Sequence, residues 1–185
     1  MSLIIGVRCL NGCLAIADRR THIRFGNRRL YRDDFTKIIK RMDHLVWNHG
    51  YNRIGNQDWK QRASELSPDA ANPIFAEIRR EMMSKADRRA YYVFMNMTTL
   101  LEVMICARTG VTMRDHMPHD RILSGSGSKY VSLRLLADLA YQSSAHVQGP
   151  LVETFKTAHA QMMRRHGIEL SEMFDLARLD ADIAA

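Results

Sequence analysis

The sequence predicts an α+β domain in which two β-sheets pack face to face between helix pairs, and three observations carry that prediction. The first is the N-terminal stretch IIGVRCLNGCLAIAD, where two short apolar runs flank Asn11-Gly12, the strongest short-range hairpin signal. Strands apolar on both faces belong in the middle of a sandwich, covered on each side. The second is the order of segments along the chain: strands, two helices, strands, two helices. Within one compact unit that order argues sheet on sheet with helices outside. The third is size, since 185 residues, 46% of them hydrophobic and 25% charged, suit one domain over 1–185 with a substantial core.

The elements follow in turn. Residues 3–10 and 13–17 form the first hairpin, and polar strands at 21–25 and 28–31 are separated by Gly26-Asn27. Strands at 35–41 and 44–48 follow, with a turn at Met42-Asp43. Residues 56–66 lack Gly and Pro, carry helical content, and stop at Ser67-Pro68-Asp69. A second helix over 73–85 places Ile74, Ile78, Glu81 and Met82 at helical spacing, with Pro73 suited to a first turn. Aromatic and β-branched residues make 91–107 a strand turned by Thr109-Gly110, and short strands follow at 111–115 and 121–123. The run Ser124-Gly125-Ser126-Gly127-Ser128 breaks the sheet and opens a long helix over 130–143, with Leu133, Leu136, Ala137 and Ala140 on one face. Gly149-Pro150 leads into a last helix over 151–165, which Gly167 ends.

Composition excludes several classes. No run of eighteen apolar residues spans a membrane, and the N-terminus lacks the basic region, apolar block and cleavage site of a signal peptide. The expected location is therefore the cytoplasm. Cys9, Cys13 and Cys106 are odd in number and lack CxxC spacing, which predicts reduced thiols rather than a disulfide framework or a zinc site. The formal charge of +7 raises nucleic acid as a partner, but the basic residues are dispersed among acids without a basic tail or aromatic interleaving. Nucleic acid is accordingly not the expected partner. Asp115-His116 and His119-Asp120 flank Pro118 and read as a solvated loop, because a third ligand is unspecified. His159 and His166 lie seven apart on a helix, where a packed or surface role is expected, and Met82-Met83 and Met162-Met163 fill helix faces. No cofactor and no metal is implied.

The chemistry concentrates at the N-terminus. A serine that becomes the first residue after methionine removal carries its own base, the free α-amine. Ser2 stands directly behind Met1, ahead of the first strand, and Asp18 stands where the returning strand ends. An α-amine has a reference pKa of about 7.7–8.0, so a fraction is deprotonated at neutral pH and can accept the hydroxyl proton.

These residues resemble the β-type proteasome subunits and their bacterial relatives, including HslV, which are N-terminal-nucleophile hydrolases of αββα fold. Four motifs, in order, carry the resemblance. Ser2 leads into Leu3-Ile4-Ile5-Gly6-Val7-Arg8; Ala17-Asp18-Arg19-Arg20 is similar to the family's A-x-D-x-R ending; Lys37-Ile38-Ile39 resembles its lysine strand; Gly125-Ser126-Gly127 resembles its G-S-G segment before a helix. The resemblance implies a four-layer αββα sandwich, two antiparallel sheets flanked by helix pairs. It implies Ser2 as nucleophile, Lys37 as the cation beside its hydroxyl, Asp18 as the carboxylate holding that lysine charged, and Ser126 as a proton-relaying hydroxyl near the amine. Gly50 is the candidate oxyanion donor, with Gly127 as a further oxyanion or substrate-binding residue. The sequence departs from the family there, having Trp47-Asn48-His49-Gly50-Tyr51 in place of an A-G-G or S-A-G segment, and it has serine where threonine is commoner.

The implied activity is that of a self-compartmentalising, threonine-type peptidase with serine as nucleophile, dependent on removal of Met1. The implied partners are copies of itself in a ring or double ring, unfolded protein or peptide as substrate, and an AAA+ ATPase unfoldase. The alternatives are a catalytically silent scaffold or assembly protein of the same fold, and a basic nucleic-acid-binding module.

Overall fold

The structure is a computed structural model and describes residues 2–25, 28–33, 35–54, 57–69, 72–85, 88–117, 121–166 and 173–180. The first hairpin pairs β1 (Ile4–Cys9) with β2 (Gly12–Asp18), and every residue of both strands is buried. Its register opposes Cys9 to Gly12, so the two connecting residues are Leu10-Asn11 and not Asn11-Gly12. Gly12 is needed for another reason. A Cβ there would lie 2.6 Å from the Leu179 carbonyl oxygen of the neighbouring strand.

A small hairpin of β3 (Thr21–Phe25) and β4 (Arg28–Arg32) precedes β5 (Ile38–Lys40) and β6 (Leu45–Gly50). The helix expected over 56–66 is instead a short strand pair, β7 (Arg53–Ile54) with β8 (Gln57–Asp58), followed by a 3₁₀ helix at Trp59–Glu65. Asp58 and Gln61 close a capping box on that helix, which turns Trp59 into the core. The expected 73–85 helix is α1 (Pro73–Glu81) with a 3₁₀ turn at Met82–Lys85; Asn72 caps it and Pro73 opens it. The single strand expected over 91–107 is two, β9 (Arg89–Met95) and β10 (Leu100–Cys106). Asn96 makes the turn, its side-chain oxygen accepting from the Thr98 and Thr99 N–H groups, a local bond that apolar periodicity cannot show. Next come β11 (Gly110–Asp115) and β12 (Arg121–Ser124).

The C-terminal third departs most from expectation. The long helix over 130–143 is a 3₁₀ turn at Ser128–Tyr130 and a short α2 (Leu133–Leu139); Leu136, Leu139 and Ala140 are buried while Leu133 is exposed. The last helix, α3 (Ser144–His166), starts ahead of Gly149-Pro150 and runs through it. Val147, Leu151 and Phe155 continue one buried stripe across the proline, so packing outweighs local propensity. Asn11 of the first hairpin accepts from the Ser144 N–H at 2.8 Å and fixes the start of this helix from across the fold. A final strand, β13 (Phe174–Asp180), was absent from the sequence reading; it pairs with β2 from Phe174↔Asp18 to Asp180↔Gly12. Gly167 lies outside the described residues.

The strands assemble into two antiparallel sheets, ordered β12-β1-β2-β13 and β11-β10-β9-β6-β5, in the expected αββα order. Three apolar layers hold them. Ile4, Ala15, Trp47, Val93 and Ile122 fill the space between the sheets. Ile5, Leu14 and Ile16 meet Leu136, Leu151 and Phe155 of α2 and α3, and Val46, Tyr92 and Phe94 meet Phe75, Ile78 and Trp59. On the α1 side the second helical piece is the 3₁₀ helix, so the pair there is one α-helix and one 3₁₀ segment. Trp47 locks the sheets together. Its ring fills the space above Gly6, where a Cβ would lie 2.7 Å from Cη2, and its Nε1–H donates to the buried Ser124 Oγ at 3.3 Å.

Candidate active site

The fold brings Ser2, Asp18, Lys37 and Ser126 together at one end of the sandwich. Ser2 lies just ahead of β1, and Asp18 ends β2 where that strand passes β1, so the hairpin alone sets serine beside aspartate. Asp18 is 1% exposed. Its Oδ1 accepts from the Leu3 N–H at 2.5 Å and lies 3.5 Å from Ser2 Oγ, and its Oδ2 accepts from Lys37 Nζ at 2.6 Å. Lys37 immediately precedes β5 of the other sheet and reaches across. Its Nζ also donates to Ser2 Oγ at 3.1 Å and to the Arg20 carbonyl at 2.7 Å. Three acceptors thus match the three protons of an ammonium. Burial pulls the Lys37 ammonium below the ordinary lysine range, and Asp18, then Asp175 and Asp33, draw it back up.

The glycine-rich turn closes the other side. Ser2 N donates to Ser126 Oγ at 3.4 Å. Gly125 has φ +88°, and a Cβ there would lie 2.3 Å from the Ser2 carbonyl oxygen; only glycine lets the turn approach the serine this closely. Gly127, expected at an oxyanion or substrate position, is placed differently. Its N–H donates to the Ser2 carbonyl at 2.9 Å and it is not among the residues lining the cavity. It positions the serine backbone instead.

Gly50 ends β6 with φ +84°, and a Cβ there would meet the Arg89 carbonyl oxygen at 2.4 Å. The Tyr51 N–H donates to that same carbonyl at 2.9 Å. Alternation along an antiparallel ladder then directs the Gly50 N–H away from β9, toward the β5 side. There β5 begins only at Ile38, opposite Trp47, so among the described residues the β5–β6 ladder stops short of that N–H. Beside it opens a cavity of about 510 Å³, lined by Ser2, Lys37, Asn48, His49, Gly50 and Ser126, with Arg20, Phe35, Asn52 and Trp59 around them.

Sequence reasoning missed several of these neighbours. Arg20 and Asp33 form a two-point ion pair at the cavity wall, at 2.7 and 2.8 Å. His49 stacks flat on Tyr91 and faces Glu102, which it holds below the usual carboxylate range. Asp175 accepts from the Lys37 backbone N–H; the sequence offers it only as lying near where the resembled family carries an aspartate in its last third, without a clear match and without the strand that holds it. Among the described residues, no group of three His, Cys, Asp or Glu side chains is arranged to hold a metal ion. The Asp115-His116 end of the aspartate–histidine motif is described, with His116 Nε2 4.0 Å from Glu102 Oε2, while His119 and Asp120 lie outside the described residues. Cys9, Cys13 and Cys106 are buried, and none forms a disulfide among the described residues. No described helix is long and apolar enough to cross a membrane.

The fold is an αββα sandwich with Ser2, Lys37 and Asp18 gathered at one end. No protein-family model and no curated protein matches the sequence. Solved structures do match in fold. Eukaryotic HslV from Trypanosoma brucei superposes with TM-score 0.60 at 13% identity, over 96% of this chain and 99% of that one. The Gly-1 mutant of Anbu from Hyphomicrobium sp. strain MC1 gives TM-score 0.60 at 11% identity, over 97% and 82%. Anbu, the ancestral β-subunit, from Yersinia bercovieri gives 0.58 at 9% identity, over 96% and 82%. The chain shares the fold of HslV and Anbu.

Proposed function

We propose that the chain, once Met1 is removed, is an N-terminal-nucleophile peptidase with Ser2 as nucleophile. One observation carries the reading: Lys37 Nζ touches both Ser2 Oγ, at 3.1 Å, and Asp18 Oδ2, at 2.6 Å, out of a sheet that Ser2 does not belong to. The α-amine of Ser2 takes the hydroxyl proton, and Oγ attacks a peptide carbonyl. The Lys37 ammonium stabilises the developing alkoxide, and Asp18 keeps the lysine charged. The Gly50 N–H faces the oxygen of the tetrahedral intermediate. The proton then passes from the amine to the leaving nitrogen, with Ser126 beside that nitrogen's donor, and water releases the acyl group from Oγ.

On this reading the substrate is unfolded protein or peptide, and copies of the chain associate into a ring or double ring around the sites. The fold shared with HslV supports association, and Leu133, Leu135 and Tyr141 are large apolar side chains exposed on and just after α2. An ATP-driven unfoldase would deliver folded substrates, and the cytoplasm is the compartment proposed.

The test is intact mass before and after exposure to a peptide epoxyketone, which needs both the hydroxyl and the free amine of an N-terminal nucleophile. Loss of methionine and a single adduct on Ser2 are expected. Retained methionine with no adduct would move the assignment to a catalytically silent scaffold of the same fold.

A further inference from the structure

We infer that Asp175 is a positioning residue for Lys37, and through it for the nucleophile; the inference rests on the peptidase reading for its catalytic meaning. Asp175 lies on β13, one strand beyond β2, in register with Ala17 and so next to the Asp18 end of that strand. Its side chain is 15% exposed. Oδ2 accepts from the Lys37 backbone N–H at 2.6 Å, and Oδ1 lies 3.5 Å from Arg19 Nε. One carboxylate, 138 residues beyond Lys37 in the chain, therefore touches both the segment after β2 and the segment carrying the lysine.

The contact comes where the sheet supplies none. Lys37 precedes β5, whose pairing with β6 starts at Ile38, so its N–H lies outside the ladder. A charged acceptor at this distance makes a stronger bond than a neutral carbonyl. The lysine is then held at both ends: the backbone by Asp175, and Nζ by Ser2 Oγ, Asp18 Oδ2 and the Arg20 carbonyl. Further hydrogen bonds tie the same place together, with Arg19 N–H donating to Met173 O at 3.2 Å and Phe35 N–H to Arg19 O at 3.3 Å. The charged and titratable groups described around Lys37 are Asp18, Asp33, Asp175, Arg20 and, from α3, His159. Without Asp175 the lysine segment loses this side-chain anchor on its backbone, and Nζ loses its fixed distance to Ser2.

The experiment uses the full chain with Met1 removed, and the variants Asp175→Ala and Asp175→Asn, the latter keeping an acceptor oxygen without the charge. The first readout, NMR of the Lys37 amide and Nζ protons, does not depend on turnover. Asp175→Ala is expected to shift the Lys37 amide proton upfield and to speed exchange of the Nζ protons about tenfold or more; Asp175→Asn is expected to restore most of the Nζ protection. The second readout is hydrolysis. Asp175→Ala is expected to lower kcat about 10- to 100-fold with KM little changed, and Asp175→Asn to recover most of it. Unchanged Lys37 signals in both variants would overturn the inference, as would a kcat in Asp175→Ala equal to that of the parent. A parent that cleaves no peptide and takes no epoxyketone adduct defeats the peptidase reading alone, because the Lys37 signals still decide whether Asp175 positions the lysine. Should Asp175→Ala fail to fold, the amide shift in Asp175→Asn decides the contact.

Discussion

Lys37 shows how much a single side chain depends on its surroundings. In the sequence it is one lysine beside Lys40 and Arg41, a pattern that by itself reads as a solvated face. In the fold it is buried, with all three Nζ protons spoken for. His159 is the other residue whose environment sets its chemistry. It is 5% exposed, stacks on Phe155 at 5.5 Å between ring centres, and lies in the field of Asp18, Arg20 and Lys37. Burial is the largest cause holding its pKa below the ordinary 6.5. The folded form therefore resists protonation more than the unfolded chain does. Its contribution to stability is complete above the unfolded value and is lost as pH falls below it toward the folded one. Thermal unfolding from about pH 7 to about pH 5 is expected to show Tm falling with acid, and a His159→Leu variant is expected to give a flatter curve. An unchanged slope would assign the acid sensitivity to the carboxylates instead.

At the scale of elements, the first hairpin is held by what it lacks. Gly6 sits under the Trp47 ring, and alanine there would place a Cβ 2.7 Å from Cη2. The indole cannot retreat freely, since it is fully buried and bonded to Ser124. Gly6→Ala is expected to destabilise the fold by about 1–3 kcal/mol through overpacking, read as a lower midpoint in urea unfolding at unchanged slope. A neutral effect would mean that the sheets separate more easily than the packing of Trp47 implies. The elements read correctly from the sequence were those with strong local signals. The apolar hairpin, the Pro73 opening of α1 and the turn at Gly110 are examples. Those misread turned on specific side-chain bonds, some local, as at Asn96 and Asp58, and some to distant partners. Helix α3 runs through Gly149-Pro150 because its buried stripe continues, and Asn11 supplies its first hydrogen bond.

At the scale of the whole molecule, the two sheets divide the site between them. Ser2 and Asp18 belong to the β1–β2 hairpin, Lys37 to the edge of the other sheet, and Ser126 to the turn after β12. Cutting any layer loose would scatter the cluster. The same division bears on assembly. The proposed association predicts that light scattering after size exclusion returns a mass several times that of the chain, and that Leu135→Glu, on the exposed side of α2, lowers it. A monomer at micromolar concentration would remove the ring from the proposal and leave the site geometry untouched.

By itself the sequence determined the αββα order and put Ser2, Asp18, Lys37 and Ser126 in the positions of a known motif series, because strands, turns and motif spacing are local properties of a chain. Tertiary structure alone decided the rest: that Gly127 holds the Ser2 carbonyl rather than facing the cavity, that a C-terminal strand completes the first sheet, and that Asp175 on it bonds the Lys37 backbone. The reason is physical. A hydrogen bond spanning 138 residues leaves no periodicity or spacing to read; it comes into being only when the layers pack.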